Sequence, residues 1–471
     1  MTPFELVLQH YNFPKEIRGN PFDPHPLQIA VINSLAPLTT SGEWLDMGTG
    51  KTFVATACAL YWKITQGIPC VVILPPVLIR QWARWLAMIS PALSICEYEG
   101  TPAERAEKDL SADFVIVGIQ IFKKEWTKFN VAFRGRRRFV IVDEATMIGN
   151  INSDAYQKVY DFCVGMLCTM LTGTPSDPPM RTYAMLTLTA PGSYRSMKHF
   201  ENEHVDEVDF HKKPIAWKNL DLLNEKLKKN SARVLFKDMY NKSQTPFIDR
   251  IEYRLSPDHY KLYRKLSEEQ LLELPEGGKI DGSTANRLIH ALGQIILNPA
   301  HFSGKPEMRS ATLDLIDQRL EGLAGGKLLV FAHYKLTIAQ LVKHYSKYGA
   351  VQVNSAVTNK QKDLAKQRFI EDDKCKIIFV QYLSGGLGLD GLQWVCNHLM
   401  MIEPIRQPYI FRQSVARLDR GGQRHRVMVD VAIAQRTLQV RGFKDLVDND
   451  GVASQIIRNA YELRKEIYGE D

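Results

Sequence analysis

No apolar run in this chain approaches the roughly 18 residues that a membrane-crossing helix needs. The opening MTPFELVLQHYNFPKEIRGN has an early acidic residue and no long apolar core, so no secretory leader is expected. No Cys-x-x-Cys pair occurs among Cys58, Cys70, Cys96, Cys163, Cys168, Cys375 and Cys396, which argues against a zinc ribbon and a disulfide framework. Most of these cysteines sit in apolar runs, and buried free thiols are expected. Internal repeats and low-complexity tracts are absent. With 45% hydrophobic and 24% charged residues the composition is not that of a disordered chain. The expectation is a cytoplasmic protein with no membrane partner and no structural zinc. At 471 residues it is long enough for two or three domains.

What is present is a series of short, continuous apolar runs separated by helix-like stretches. The first half holds CVVILP (70–75), DFVIVG (113–118), FVIVDE (139–144) and CTMLTG (168–173). The second holds KLLVFA (327–332), AVQV (350–353), KIIFV (376–380), HLMMI (398–402) and VMVDVAI (427–433). Continuous rather than alternating apolar strands belong to parallel sheets covered by helices on both faces. Two such groups predict an α/β protein with two consecutive doubly wound domains. Between them, charge and helix formers dominate, broken by LPEGGKIDGS (274–283) and GLAGGK (322–327). The expected division is 1–190 for the first α/β domain, 191–325 for helical insertions and a linker, and 326–471 for the second α/β domain with C-terminal helices. The net charge of +8 fits a polyanion partner without requiring one. Arg134-Gly135-Arg136-Arg137-Arg138 and KLKKNSAR (226–233) concentrate it, and a solvated basic face accounts for either equally well.

The stretch LDMGTGKT (45–52) matches the phosphate-loop pattern G-x-x-x-x-G-K-[ST] except at Leu45, where a glycine is asked for. Gly48 and Gly50 permit a tight loop around Thr49 whose backbone N–H groups face phosphate oxygens. Lys51 supplies charge to the β- and γ-phosphates, and Thr52 a hydroxyl to Mg²⁺. The following FVATACALYWKIT reads as the helix whose positive end faces the phosphates. A second half of such a site is Asp143-Glu144-Ala145-Thr146, closing the apolar run Phe139–Val142. A strand end there would deliver Asp143 to Mg²⁺, with Glu144 orienting or deprotonating the attacking water.

These stretches, with others in the same order, resemble superfamily 2 helicases of the Snf2-like (SWI2/SNF2) group. LDMGTGKT is similar to motif I, VVILPPVLIRQWARWL (71–86) to motif Ia, DEATMIGN (143–150) to motif II and LTGTP (171–175) to motif III. KLLVFAHYKLTIAQL resembles motif IV, SGGLGLDGL (384–392) motif V, and Gln413-(x)3-Arg417-(x)2-Arg420-x-Gly422-Gln423 motif VI. The resemblance covers nearly the whole chain, from about residue 24 to 440.

It implies two tandem RecA-like domains with helical insertions between them, binding ATP and Mg²⁺ in the interdomain cleft. Arg417 and Arg420 would act as arginine fingers on the γ-phosphoryl group. Gln28 would read adenine, although Leu27 stands where the family usually has an aromatic residue. Motif V implies ATP contacts from Gly386 and Asp390. Thr146, Thr172, Thr174 and Gln413 would couple nucleotide to track. Nucleic-acid contacts are implied at Arg80, Gln81, Gln120, His333, Lys335 and Ser384, directed to the sugar-phosphate backbone as a sliding motor requires. Trp82 and Trp85, at i and i+3, read as core packing rather than base-stacking platforms.

Two departures stand out. Thr146 replaces the histidine of D-E-A-H, and TPSDPPM replaces the family's usual TPIQN after motif III. The function implied is an ATP-driven DNA translocase acting on branched or forked DNA in replication, recombination or repair. The alternatives are a helicase that loads on single-stranded DNA or RNA, and a remodeller displacing DNA-bound proteins. The chain shows no obvious appended reader domain, a compactness that resembles bacteriophage and bacterial members of the group. A monomer is expected, associated with the nucleoid, or with host cytoplasm if phage-encoded.

Overall fold

The computed structural model describes residues 1–448 apart from 18–19, 174–178, 209–213, 240–244, 270, 274–278, 282–284, 383–388, 404 and 406. The chain divides into two compact units, Met1–Asn241 and Lys242–Asp471.

In the first unit, seven strands among the described residues form one sheet. They are β1 (Thr40–Leu45), β2 (Cys70–Leu74), β3 (Ile95–Tyr98), β4 (Phe114–Gly118), β5 (Phe139–Asp143), β6 (Leu167–Leu171) and β7 (Ser231–Val234). Their order is β7-β1-β6-β5-β2-β4-β3, and every pairing is parallel. Each position of β2, β4, β5 and β6 is buried, so helices cover both faces and the runs are apolar but for Thr169 and the terminal Asp143. Three helices position the site. Helix α1 (Pro26–Leu35) starts on a proline behind the His25 cap. Helix α2 (Lys51–Gln66) follows β1 and stops at Gly67, whose φ of 65° lets its N–H close back on Lys63 O at 2.9 Å. Helix α3 (Ile79–Ile89) follows β2 and buries Ile79, Trp82, Ala83, Trp85, Leu86 and Ile89.

In the second unit, six described strands form another parallel sheet. They are β8 (Phe247–Tyr253), β9 (Leu328–Ala332), β10 (Val351–Val353), β11 (Ile377–Gln381), β12 (His398–Met401) and β13 (Met428–Ala434), in the order β8-β13-β12-β9-β11-β10. Alternate residues of β9 enter two separate cores. Leu329 and Phe331 pack with Phe411 and Leu418, whereas Leu328 and Val330 pack with Leu266, Ile295 and Ile316. A sheet buried on both faces is the result, and the two units have the tandem RecA-like architecture expected from the sequence.

The stretch 191–325 differs from its reading as helical insertion. Helices Pro257–Glu269, Ala285–Leu297 and Ala311–Gly322 are present, yet they supply Leu266, Ile295 and Ile316 to the core of the second sheet. The same stretch contributes β7 to the edge of the first sheet and β8 to the edge of the second. The division between the two compact units falls at 241/242. Edge strands have one neighbour and a wet side, so they carry Arg233, Asp249, Arg250 and Glu252 and lack the apolar signature of central strands. Strands β1 and β3 also escaped the apolar pattern, β1 because its interior TSGEWL holds a charged Glu43.

Candidate nucleotide site

Strand β6 lies between β1 and β5, and Leu171 is the register partner of both Glu43 and Asp143. One row across three strands thus fixes the carboxylate of β5 beside the root of the loop after β1, about 10 Å apart at the backbone. Both lie at the carboxyl edge, where open parallel sheets bind ligands.

In the loop, Gly48 and Gly50 adopt φ of 78° and 87°. Thr49 is buried, and its hydroxyl donates to Asp46 O at 2.6 Å. Gln28 is buried against this loop. Its Nε2 donates to Thr49 O at 2.7 Å, and its Oε1 accepts from His25 N at 2.9 Å. A Cβ on Gly50 would stand 2.2 Å from Gln28 Nε2, so a side chain there would displace the Gln28 amide as well as strain φ. Gln28, read from sequence as an adenine contact, is in this structure a strut of the phosphate loop. The Lys51 ammonium, on the first residue of α2, donates to Leu45 O at 2.9 Å and Asp46 O at 3.2 Å, which keeps it folded over the loop. Thr52 sits one residue further along the helix.

Arg233, part of the basic cluster KLKKNSAR, ties this loop to the end of β6. Its Nη1 donates to Trp44 O at 2.8 Å and Gly173 O at 2.9 Å, and its Nη2 pairs with Asp46 Oδ1 at 2.9 Å. Motifs I and III are thereby held by one guanidinium, a role with no local signature beyond a cationic residue after a lysine-rich helix.

Asp143 is buried at the end of β5. Its Oδ1 accepts from Glu144 N at 2.9 Å, and its Oδ2 accepts from Trp82 Nε1 at 2.8 Å. Glu144 occupies the left-handed region at φ 56°, ψ 54°, a conformation costing about 1 kcal/mol or more for a residue with a Cβ. Thr146 Oγ1 donates to Glu144 Oε1 at 3.4 Å, so the residue replacing the family's histidine touches the candidate water-activating carboxylate. Thr172 is buried, with its N–H on Glu43 O at 3.2 Å. Thr174 lies outside the described residues. Glu43 is fully buried. Burial, then repulsion from Asp143, pushes its carboxyl well above the ordinary range, against the pull of Lys51.

These residues fit Mg²⁺. The donors at hand are hard oxygens, the Asp143 carboxylate and the Thr52 hydroxyl. Among the described residues no group of three or more His, Cys, Asp or Glu forms an all-protein metal cage.

In the second unit, Asp390 pairs with the Arg420 guanidinium, while Arg420 Nε donates to Ala416 O at 2.8 Å. Burial alone would raise the Asp390 carboxyl, but Arg420, Arg417 and Lys366 outweigh it and hold it at about 2. Asp390, distant in sequence, therefore forms one cluster with Arg417 and Arg420. Gln413 is half-buried on helix α4 (Pro408–Val415), just before them. Gly422 takes φ 88°, and a Cβ there would meet Trp394 Nε1 at 2.6 Å. Ser384 and Gly386 lie outside the described residues.

Of the expected nucleic-acid contacts, Arg80 and Gln81 lie in the first turn of α3 and Gln120 just after β4. The neighbouring strands β2 and β4 (Leu74 opposite Gly118) bring them to one sheet edge. Arg80 pairs with Glu99 at 3.3 Å, and Gln120 is exposed. His333 follows β9. Burial and the adjacent His290 hold its imidazole below the ordinary range, so it is neutral at pH 7 and brings a hydrogen bond rather than charge. Lys335 is exposed at the start of helix Lys335–His344. All seven cysteines are buried free thiols, and no described helix is long and apolar enough to cross a membrane.

Two parallel sheets, each clad in helices, with a glycine loop and an acidic strand end on the first and an arginine cluster on the second, define a tandem RecA-like protein. The family model for the SNF2-related domain matches residues 45–301, over half of the chain, and the chain belongs to that family. Among curated relatives, chromodomain-helicase-DNA-binding protein 1-like from Danio rerio is 24% identical over 84% of this chain and 40% of its own length. ATP-dependent helicase FUN30 from Saccharomyces cerevisiae is 22% identical over 84% of this chain and 43% of its own. The chain thus spans about two fifths of the length of these relatives. Among solved structures, the Sulfolobus solfataricus SWI2/SNF2 ATPase core in complex with dsDNA is similar over 94% of this chain and 97% of its own, at 17% identity and a TM-score of 0.42.

Proposed function

We propose that this protein is a DNA-dependent ATPase that converts ATP hydrolysis into movement along DNA, acting on branched or forked duplexes in replication, recombination or repair. The observation that carries the reading is the shared register of Glu43 and Asp143 on Leu171, which brings the phosphate loop and the acidic strand end to one sheet edge. In this reading Gly48, Thr49 and Gly50 present backbone N–H groups to the phosphates, and the Lys51 ammonium leaves the carbonyls of Leu45 and Asp46 for phosphate oxygens. Mg²⁺, when bound, neutralises charge on the β- and γ-phosphates, and Thr52 and Asp143 are the residues that would hold it. Glu144 takes a proton from the attacking water, with Thr146 orienting its carboxylate. Arg417 and Arg420 stabilise charge developing on the transferred phosphoryl group, and Asp390 keeps the pair aligned. Arg80, Gln81, Gln120, His333, Lys335 and Ser384 grip the backbone of DNA without reading sequence. Family membership supports the motor reading, and the names of the relatives agree with it.

The test is an ATPase assay comparing duplex, single-stranded, forked and four-way DNA with RNA. Forked or four-way DNA is expected to stimulate most, without need of a single-stranded tail. Lys51→Ala and Glu144→Gln are expected to lose turnover, Glu144→Gln while still binding ATP. Near-normal turnover in either variant refutes the site assignment, and stimulation restricted to single strands or RNA refutes the substrate.

A further inference from the structure

Helix α3 contributes more than packing. Trp82 is fully buried, yet its indole N–H is spent on Asp143 Oδ2 at 2.8 Å. One helical turn on, Trp85 donates its indole N–H to Thr56 Oγ1 at 3.1 Å, and that hydroxyl donates to Thr52 O at 2.6 Å. The two tryptophans at i and i+3 therefore reach, directly or through one hydroxyl, the two residues that would offer oxygen to a magnesium ion. Residues i and i+3 share a helix face, so α3 engages both together. The helix is itself fixed at its start. A 3₁₀ turn at Pro76–Leu78 leads into it, and Pro76 packs so closely on β4 that a Cβ on Gly118 would lie 2.8 Å from its Cγ.

We infer that Trp82 is a positioning residue for Asp143, its indole N–H fixing the carboxylate so that the metal-binding lone pairs face the phosphate loop. The inference rests on the nucleotide reading above. A carboxylate at a strand end can rotate about two side-chain bonds. With Glu144 N on one oxygen and Trp82 Nε1 on the other, both bonds are fixed before any ligand arrives. Groups that orient a metal ligand in this way typically change metal affinity by about 10- to 100-fold when removed. The helix that performs this also begins with Arg80 and Gln81, which the proposed function assigns to the DNA backbone.

The test measures binding of a fluorescent ATP analogue to the full chain, with Mg²⁺ and with EDTA, together with the melting temperature. Trp82→Phe is expected to weaken binding in Mg²⁺ by about tenfold, to leave binding in EDTA unchanged, and to have no further effect in an Asp143→Asn background. Replacing Trp82 by benzothienylalanine, which keeps the ring system and deletes only the N–H, gives the same reading should Trp82→Phe fail to fold. Equal losses with and without Mg²⁺, additivity with Asp143→Asn, or binding like the wild type each overturn the inference. A wild-type protein whose nucleotide binding ignores both Mg²⁺ and Lys51→Ala would instead overturn the nucleotide reading itself.

Discussion

Removing the Arg233 guanidinium should loosen the phosphate loop without touching any residue that meets the phosphates. Arg233 makes three contacts of 2.8–2.9 Å, to Trp44 O, Gly173 O and Asp46 Oδ1. Its side chain is 40% exposed and that of Asp46 30%, so the ion pair is screened and contributes well under about 1 kcal/mol. The two carbonyl contacts add about 1 kcal/mol each at most. Arg233→Ala is therefore expected to cost about 2 kcal/mol, a fall of about 4–8 °C in melting temperature for a unit of this size. If all of that energy orders the loop for its ligand, nucleotide affinity falls by up to about thirtyfold. Arg233→Lys keeps the charge but offers one nitrogen in place of a fork, and should recover less than half of the loss. Differential scanning calorimetry and titration with a fluorescent nucleotide measure both quantities. An Arg233→Ala protein with wild-type melting and wild-type affinity refutes the clamp, and full recovery in Arg233→Lys would show that charge rather than geometry matters.

Gly50→Ala should be destabilised by about 2–3 kcal/mol, from a left-handed alanine and from displacement of the Gln28 amide. Combined with Gln28→Ala the cost should fall short of additive by about 1 kcal/mol in denaturant titrations, and strict additivity would refute the steric link. Glu403 accepts a hydrogen bond from His333 N, and burial outweighs its backbone hydrogen bonds to push its carboxyl from 4.5 up to about 8. Between those values the folded state holds a proton that the unfolded state has released, so this group makes stability fall as pH rises through that window. Glu403→Gln should remove that slope, gaining on the wild type between pH 6 and 8 in thermal melts. Parallel pH profiles for the two proteins would count against a buried neutral carboxyl.

The amino-acid sequence by itself determined the class of fold and the local chemistry. Strands buried on both faces are apolar at nearly every position, so β2, β4, β5, β6, β9 and β11 announced themselves, and glycine-dependent turns such as 48–50 are legible because few other residues tolerate φ near 80°. What tertiary structure decided was which polar groups meet. Edge strands β7 and β8 are specified by pairing with β1 and β13 rather than by their own composition, which is why a charged stretch proved to be sheet. The approach of Trp82 to Asp143, of Arg233 to Asp46 and of Gln28 to Thr49 depends on strand order and helix placement across 21 to 187 residues of chain. No local pattern encodes such distances, because side-chain identity sets what a residue can bond to, while the fold sets what comes within 3 Å of it.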